Sequence, residues 1–378
     1  MNRKNICEIC TLIMGQSPDS KSYNKDKNGI PFYQGNADFG EEHPTPTVWC
    51  TAPKKIARKG DILISVRAPI GDMNIANEDC CIGRGLAAIR LNKSDIVDIN
   101  YLYHYLSATV EFLQEQGTGS TFKAINKTTL EGIEIPCPSI EKQKNIAKLI
   151  IEIKTSIQYK KAELFALNEL VKSRFIEMFV EKGFKEITFS DYAEIIDGDR
   201  GKNYPKAEEF SDEGYCLFLS AKNVTKDGFL FEQMQFISEE KDNLLRKGKL
   251  CRGDIVITTR GTIGNIAFYD DDIPYDNVRI NSGMVIIRQK EVSFNQIFFL
   301  NAFKNKIDEI KETNVTGAAQ PQLPIHIMSK IKLLNPPIEL QNDFADFVKL
   351  IDKSKFIVQK QIDDLQELLD SKMDEYFG

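Results

Sequence analysis

The strongest constraint on the fold of this chain is an internal repeat. The stretch KGDILISVRAPIG (Lys59–Gly71) returns 193 positions later as RGDIVITTRGTIG (Arg252–Gly264). Upstream, GIPFYQGNADF (Gly29–Phe39) loosely matches GYCLFLSAKNV (Gly214–Val224). Three later matches keep the same order at a separation of 198: GLAAIR (Gly85–Arg90) with GMVIIR (Gly283–Arg288), PSIEKQ (Pro138–Gln143) with PPIELQ (Pro336–Gln341), and LNELVKS (Leu167–Ser173) with LQELLDS (Leu365–Ser371). The chain is therefore predicted to be a duplicated unit.

Each copy begins with strand-like sequence and ends with helix-like sequence. Runs such as DILISV and GMVIIR are short, β-rich and bounded by glycine or charged residues, which is typical of strands. Between Ile140 and Glu181 there is neither proline nor glycine. We therefore predict an α/β (α+β) fold, in which each copy has a sheet-containing domain followed by one long helix.

The long helices carry a heptad seam. Apolar residues recur at alternating steps of three and four, which predicts coiled-coil packing, and the second seam keeps the frame of the first. Gly183 lies just past the first helix and is a suitable stop. The predicted packing residues are Ile150, Ile153, Ile157, Leu164, Leu167 and Val171 in the first helix, and Val348, Ile351, Val358, Ile362, Leu365 and Leu369 in the second.

These patterns divide the chain into four segments. Residues 1–137 and 184–335 are predicted to be globular domains, and 138–183 and 336–378 are predicted to be the helices. Residues 139–182 hold nine basic and six acidic side chains, whereas 338–378 hold five and ten, so the helices favour each other as partners. A helix of this length reaches roughly 60 Å. We expect the pair to act as a spacer between the two domains.

Composition narrows the class of protein. The net charge of the 378 residues is -6, whereas a chain that held DNA alone would show a basic surplus. Either nucleic acid is not the partner, or a second protein contributes to DNA binding. No apolar run approaches the roughly 20 residues of a membrane span, and the start has no secretory h-region. Eight dispersed cysteines indicate reduced thiols, so we expect a cytoplasmic protein.

Several short motifs suggest chemistry but are interpreted as structural. NPPI (Asn335–Ile338) resembles the loop with which amino-methyltransferases hold a flipped base, yet it lacks the stacking aromatic residue. Cys7 and Cys10 have no second pair at zinc-finger spacing, and the histidines have no metal or triad spacing. Asp61 and Asp254 are interpreted as turn residues that open a strand. We therefore expect neither a catalytic nor a metal site.

The loops differ between the copies, while the strands and helices match. The segments 15–28 and 198–213 share little beyond a glycine, some lysines and a tyrosine. A common scaffold with two loop sets suits two related but distinct recognition tasks, although merely solvated loops remain an alternative. The loop GTGST (Gly117–Thr121) and the turn GRG (Gly83–Gly85) are candidates for contact with a phosphate backbone.

The pattern resembles the specificity subunit of type I restriction–modification systems over nearly the whole length. The resemblance rests on the two repeated strand motifs, on GSTFKAINKTTLEGIEIPCPSIEKQKNIAKLI (Gly119–Ile150) and on GAAQPQLPIHIMSKIKLLNPPIELQ (Gly317–Gln341). The first copy departs from the usual double proline by having CPS at Cys137–Ser139. This departure concerns the helix entry alone.

The resemblance implies two target-recognition domains with twisted sheets, separated by two long antiparallel helices. Each domain would recognise one half of a bipartite double-stranded DNA site, and the helices would set the gap. The subunit itself would be non-catalytic and bind no cofactor. Two methyltransferase subunits would bring S-adenosylmethionine and methylate adenine, and restriction subunits would bring ATP and Mg.

The candidate DNA contacts combine this resemblance with the loop composition. Arg67 and Arg260 occupy equivalent positions, and glutamine suits adenine N6 and N7. Two alternatives stay open: a repeat scaffold for protein assembly without DNA contact, and a single-chain methyltransferase. The candidate contacts are Gln16, Ser17, Lys21, Tyr23, Arg67, Arg84, Ser120, Thr121 and Lys123 in the first copy, and Arg200, Lys202, Tyr204, Lys222, Asn223, Arg260, Arg279, Asn281, Gln320 and Gln322 in the second.

Overall fold

A computed structural model describes residues 3–117, 123–260, 262–290, 294–314 and 323–378. The chain forms two compact units. Unit 1 comprises Met1–Ala162 together with Gln359–Gly378, and unit 2 comprises Glu163–Val358. Each unit is a mixture of helices and sheets, which confirms the predicted α+β class.

The described part of unit 1 runs from a short strand to the first long helix. Its elements in chain order are β1 (Arg3–Asn5), α1 (Ile6–Ile9), β2 (Cys10–Met14), β3 (Tyr23–Asn24), β4 (Ile30–Tyr33), β5 (Trp49–Cys50), β6 (Ile56–Ala57), β7 (Ile62–Ser65), β8 (Met73–Ile75), β9 (Cys80–Ile82), β10 (Leu86–Leu91), α2 (Ile99–Ala108), α3 (Val110–Glu115), α4 (Lys127–Glu131), β11 (Glu134–Pro136) and α5 (Ile140–Phe175).

Unit 2 repeats this order. After a π-helical turn at Ile176–Val180, its elements are β12 (Glu186–Thr188), α6 (Phe189–Tyr192), β13 (Ala193–Asp197), β14 (Cys216–Leu219), β15 (Val224–Thr225), β16 (Gly228–Phe229), β17 (Phe236–Ile237), α7 (Glu239–Leu244), β18 (Asp254–Thr258), β19 (Ile266–Tyr269), β20 (Val278–Ile280), β21 (Met284–Gln289), α8 (Gln296–Asn314), α9 (Ile325–Met328), β22 (Lys332–Leu334) and α10 (Ile338–Phe377).

The sheets confirm the duplication. An antiparallel sheet with strand order β2-β10-β7-β8 in unit 1 corresponds to β13-β21-β18-β19 in unit 2. In both units the first strand pairs with the last, as β1 with β11 and β12 with β22. Both units also contain a parallel pair, β4 with β9 and β14 with β20. The shared topology follows from the repeated sequence motifs.

One detail of the repeat differs from the sequence alignment. The parallel pairs match Phe32 to Cys81 in unit 1 and Phe218 to Arg279 in unit 2. The strands β4 and β14 are therefore equivalent at a separation of 186, not the 185 of the loose sequence match. A slip of one residue moves each side chain to the opposite face of a strand, so the register set by β9 and β20 decides the alignment.

The central strands are buried on both faces, which explains their continuous apolar runs. In β18, Ile255 and Ile257 face the core beneath the helices, while Val256 faces the second core cluster of unit 2. Successive residues of a strand point to opposite faces, so both sets must be apolar. The first of these cores is closed by aromatic residues of α8, with Phe298 4.8 Å from Phe179 between ring centroids.

Helix starts are specified locally. Asn5 forms a capping box with Glu8, and Thr188 forms one with Asp191 at the equivalent place in unit 2. At the end of α5 the chain passes Gly183, whose φ of 66° lies in the left-handed region. This backbone suits glycine and agrees with the predicted helix stop.

The two long helices contribute to both units. Unit 1 contains the first part of α5 and the last part of α10, while unit 2 contains the converse. Each unit therefore contains the N-terminal part of one long helix and the C-terminal part of the other, as expected for antiparallel helices. In unit 2, Phe175 packs edge-on against Phe344 at 5.5 Å. Of the predicted packing residues, the structure buries Ile150, Ile153, Ile157, Val171, Val348, Ile351, Val358, Ile362 and Leu369, and half-buries Leu164, Leu167 and Leu365.

Candidate nucleic-acid interface

In unit 1, three turns meet at one end of the antiparallel sheet. The amide of Gly15, after β2, donates to Leu86 O at 2.9 Å, and that of Val66, after β7, donates to Gly85 O at 2.9 Å. Glycine is needed here because the backbones touch: a Cβ on Gly15 would lie 2.1 Å from Gly83 O. A Cβ on Gly85 would likewise lie 2.6 Å from Gln34 O, so packing explains the glycines of the GRG turn and the candidate contacts are the side chains around them.

Three cations project from these turns. Arg67, Arg84 and Lys123 are exposed, and within the described residues none of them has an ion-pair partner. The amide of Ala68 donates to Lys123 O at 3.1 Å, so the turn after β7 holds Arg67 and Lys123 together. Free cations on a rigid turn are suited to phosphate oxygens and to guanine.

Polar side chains lie between these cations. Gln16 is exposed, and Ser17 Oγ donates to Gln34 Oε1 at 2.9 Å while accepting from the Arg84 amide at 3.4 Å. Gln34 was not predicted from the sequence. Its location in the loop after β4, opposite the GRG turn, depends on the parallel β4–β9 pairing. We call Gln16, Ser17, Gln34, Arg67, Arg84 and Lys123 the unit 1 turn cluster.

The remaining unit 1 candidates lie beside this cluster. Lys21 is exposed on a short turn capped by Asp19. Tyr23 is half-buried, stacked on Phe32 at 4.7 Å, and its hydroxyl donates to Pro18 O at 3.1 Å. Burial raises the pKa of Tyr23, and the neighbouring thiols add to this shift. Tyr23 therefore shapes the loop, while Lys21 is available for contact.

Unit 2 builds the same turns with different side chains. The amide of Thr259 donates to Gly283 O at 2.9 Å, which repeats the contact of Val66 with Gly85. Arg260 is exposed and has no ion-pair partner within the described residues. Asn281 is half-buried, and its Oδ1 accepts from the Gly283 amide at 2.9 Å. Arg260 is thus the structural equivalent of Arg67.

The loop after β13 is tied to a basic segment that the sequence reasoning missed. Asp199 accepts from the Gly201 amide at 2.7 Å and from the Arg246 amide at 2.8 Å, and the Gly201 bond is the main cause of its lowered pKa. Arg246 and Lys247 are exposed and unpaired within the described residues. The basic run LRKGK (245–249) is the feature of the sequence that could have identified this segment. We call Arg246, Lys247, Arg260 and Asn281 the unit 2 turn cluster.

The other unit 2 candidates vary in exposure. Arg200 donates to Asp197 at 3.1 Å and to Ser282 O at 3.3 Å, so its charge is already shared. Lys202 and Lys222 are exposed, whereas Tyr204 is half-buried with its ring 5.7 Å from that of Phe218. Lys202 and Lys222 have no ion-pair partner among the residues that the structure describes, so both can contact an anion.

Two candidates require correction. Arg279 is buried, and its guanidinium is held by Asp242 and by the carbonyls of Lys247, Asp242 and Leu245. Burial raises the pKa of Asp242, but the paired Lys249 and Arg279 outweigh it and keep the carboxylate ionised. Asn223 is also buried, and its amide donates to Leu230 O at 3.1 Å and Gln233 O at 2.9 Å. Both side chains stabilise unit 2 and are not available to DNA.

Four further candidates lie outside the described residues: Ser120, Thr121, Gln320 and Gln322. The first two follow Gly117 in unit 1, and the last two precede Leu323 in unit 2. The Leu323 amide donates to Thr259 O at 3.3 Å. The chain thus re-enters the described part of unit 2 beside the Arg260 turn. Their assignment as DNA contacts stays a prediction.

The repeated Asp61 and Asp254 are structural. Asp61 binds Arg90 at 2.7 Å, and Asp254 binds Arg288 at 2.7 Å. Each carboxylate also accepts a backbone amide of the turn before its strand, from Arg58 and from Cys251. These contacts agree with their interpretation as residues that open a strand.

The repeated glutamines anchor the long helices. Gln143 and Gln341 are buried; Gln143 Oε1 accepts from the Asp98 amide at 2.9 Å, and Gln341 Oε1 accepts from the Asn295 amide at 2.9 Å. Gln341 Nε2 donates to Pro336 O at 2.8 Å, inside NPPI. This contact supports the interpretation of NPPI as a helix entry. Within the described ranges, no cluster of His, Cys, Asp or Glu is arranged to hold a metal ion.

These features define a class of protein: a duplicated α+β chain that presents two related but different sets of polar turns, joined by a pair of long helices. None of the helices in the described part is long and apolar enough to cross a membrane. The model of the type I restriction modification DNA specificity domain matches residues 1–169 and 181–367. The chain belongs to this family.

Individual relatives agree with this membership. The chain is 49% identical to the type I restriction enzyme MjaX specificity subunit of Methanocaldococcus jannaschii over 40% of this chain, a match that spans 36% of that relative's length. The MjaIX specificity subunit of the same organism is 25% identical over 97% of this chain and 90% of its own length.

A solved structure supports the fold. The type I restriction–modification system S subunit from M. genitalium has a TM-score of 0.55 to this chain at 17% identity, with 100% of this chain and 96% of that chain covered.

Proposed function

We propose that this chain is the DNA-recognition subunit of a type I restriction–modification complex, in which each unit recognises one half of a bipartite duplex site. The observation that carries the proposal is the pair of turn clusters. Equivalent turns in both units expose cations without ion-pair partners in the described residues, Arg67 in one and Arg260 in the other. Arginines repeated at equivalent turns suit contact with the phosphates or guanines of two DNA half-sites.

The differences between the clusters support two different half-sites. On the equivalent turns, Gln16 and Arg84 of unit 1 stand where unit 2 has Asp199 and Ser282. Arginine reads guanine and glutamine or asparagine reads adenine in the major groove, so unlike side chains on equivalent turns specify unlike bases. The sheet of each unit holds the turns in place, and the side chains of the loops determine which DNA sequence is recognised.

The helices support docking of two methyltransferase subunits. Large apolar side chains are exposed at repeat-equivalent positions: Leu170 at 46% and Leu368 at 42%, Tyr159 at 73% and Ile357 at 57%. Exposed apolar residues clustered on one element mark protein interfaces. Because the same positions recur at a separation of 198, the chain offers two related docking surfaces.

The partners complete the chemistry. The methyltransferase subunits would bind S-adenosylmethionine and methylate adenine, and restriction subunits, where present, would use ATP and Mg. The chain itself would be non-catalytic and act in the cytoplasm. Its net charge of -6 is consistent with a grip on DNA that the methyltransferase subunits share.

The test is a competition assay on the assembled complex. Arg260→Ala and Gln320→Ala should each weaken binding by about 1–3 kcal/mol per lost contact. Duplexes altered in one half-site should show that the loss concerns the unit 2 half alone. Arg67→Ala is the matched variant and should affect the other half. Equal losses at both halves from either variant would refute half-site recognition by separate units.

A further inference from the structure

Unit 2 contains an apolar pocket that the proposed function does not use. It lies between the end of α5, α8 and β22 and has a volume of about 490 Å³. Its apolar lining consists of Phe175, Ile176, Val180, Ala302, Leu333 and Leu334. We call this the α8 pocket. None of the candidate DNA contacts lines it, and its apolar lining does not suit a nucleic acid.

The internal repeat shows what fits this space. Asp98 and Asn295 cap α2 and α8 in the same way, accepting from the amides of Tyr101 and Phe298, so residues seven positions later are equivalent: Tyr105 in unit 1 and Ala302 in unit 2. In unit 1 the Tyr105 hydroxyl donates to Glu134 O at 2.6 Å. The strand residue Glu134 corresponds to Lys332, which directly precedes the pocket residue Leu333.

The neighbouring rings confirm the equivalence. In unit 1, Phe377 lies 5.4 Å from Tyr101 and 5.8 Å from Tyr105. In unit 2, Phe179 lies 4.8 Å from Phe298, the counterpart of the first contact. The counterpart of the second contact is absent because Ala302 has no ring. The α8 pocket therefore corresponds to the space that the Tyr105 side chain fills in unit 1, and the described part of unit 2 has no ring there.

The charged side chains at the rim of the pocket differ in their ion pairing. Lys306 pairs with Glu309 at 3.0 Å, Asp308 with Lys311 at 3.5 Å, and Glu186 with Lys332 at 3.9 Å. Within the described residues Lys172 has no ion pair, and it is exposed on α5. Ile176 and Val180 beside it are 39% and 51% exposed. An apolar centre with a charged rim is typical of a protein interface.

We propose that the α8 pocket receives an aromatic side chain of a methyltransferase subunit, with a carboxylate of that subunit paired to Lys172. This inference rests on the proposed function, because the pocket opens at the end of α5, the helix that carries docking residues, and its lining includes the exposed apolar Ile176 and Val180. In unit 1 the corresponding space is filled by Tyr105. The two docking surfaces are therefore inequivalent, and the one beside unit 2 binds its methyltransferase subunit more tightly.

Assembly of the full chain with its methyltransferase subunit tests the pocket. Ala302→Tyr restores the ring that unit 1 has and should weaken one of the two binding steps by about tenfold or more, the effect of losing a buried aromatic anchor. Ala302→Ser is the matched control and should bind like the native chain. Mass photometry over a concentration series counts the bound subunits, and thermal melting checks the fold.

A second pair of variants tests the rim without changing packing. Lys172→Glu should weaken the same step by about two- to fivefold, as expected for an exposed ion pair. Lys330→Glu makes the same charge change at another exposed site of unit 2 and should have no effect. Should Ala302→Tyr fail to fold, this pair decides the question.

The outcomes separate this inference from the proposed function. A native chain that recruits no methyltransferase subunit overturns the proposed docking, and this is read before any variant is compared. If the native chain recruits the methyltransferase subunit and both Ala302→Tyr and Lys172→Glu bind it with the native affinity, the role of the pocket is refuted. The proposed function is then unaffected. Self-association of the chain alone, lost in Ala302→Tyr, assigns the pocket to a second copy and also overturns the inference.

Discussion

Replacing Gln341 by leucine removes the hydrogen bonds that hold the start of α10 while keeping a side chain of similar volume. Gln341 is 1% exposed; its Oε1 accepts from the Asn295 amide at 2.9 Å, and its Nε2 donates to Pro336 O at 2.8 Å. Pro336 is buried, so its carbonyl would lose its partner without access to water. Asn295 is half-buried, so its amide would recover part of the loss from solvent.

An unsatisfied buried group costs about 1–3 kcal/mol, so Gln341→Leu should lower the free energy of unfolding by about 2–4 kcal/mol. Denaturant unfolding followed by far-UV circular dichroism measures this change. Gln366→Leu is the control, because Gln366 is exposed on the same helix and its Nε2 donates to the exposed Asp370 at 2.9 Å. A loss below about 0.5 kcal/mol for Gln341→Leu, the usual range of surface substitutions, would refute the anchoring role of the repeated glutamine.

Two further predictions concern stability. Leu167→Asp places a charge against the core of unit 2 and should lower the free energy of unfolding by about 2–4 kcal/mol. Leu170→Asp, at a 46% exposed position on the same helix, is the control and should lower it little. Equal melting temperatures for the two variants would place Leu167 on the surface. Burial and the nearby charge of Lys154 lower the pKa of His104 to about 4 in the folded state. In the unfolded state the imidazole is protonated near the normal pKa of histidine, so acid favours unfolding. The native chain should therefore lose about 2–3 kcal/mol more stability than His104→Gln as the pH falls from about 7 to 4, and parallel pH profiles would contradict this assignment.

The repeat allowed much of the fold to be predicted. Matched motifs separated by 198 residues became matched sheets, and the heptad positions became buried or half-buried residues of two long helices. The prediction worked because strands and helices are specified by local patterns that the duplication preserved. The division into segments 1–137, 138–183, 184–335 and 336–378 stays a prediction, whereas the compact units each include parts of both helices.

The candidate site was less predictable, since exposure depends on tertiary contacts. Arg260 follows a strand and is exposed, whereas Arg279 lies within β20 and its guanidinium donates to the buried Asp242 of α7, more than thirty positions away. Gln34 was missed because its proximity to the GRG turn depends on the parallel pairing of β4 with β9, and Arg246 was missed because the hydrogen bond from its amide to Asp199 joins segments 47 positions apart. Sequence composition identified the loops, and only the packing distinguished free cations from structural ones.

The most direct test of the account lengthens both helices and maps adenine methylation. Four residues inserted after Lys161 and four after Gln359 would extend the helix pair by roughly 6 Å. DNA rises about 3.4 Å per base pair, so the gap between the half-sites should grow by about one or two base pairs. The half-site sequences should not change, because the turn clusters are untouched.

The measurement is made in cells that carry the lengthened chain with its methyltransferase partner, beside cells with the native chain and cells with none. The account predicts a bipartite methylated site with the native chain, no such site without it, and the same two half-sites at a wider gap with the lengthened chain. Methylation that keeps the native gap in the lengthened chain would contradict the claim that two separate units read the DNA at a distance set by the helices.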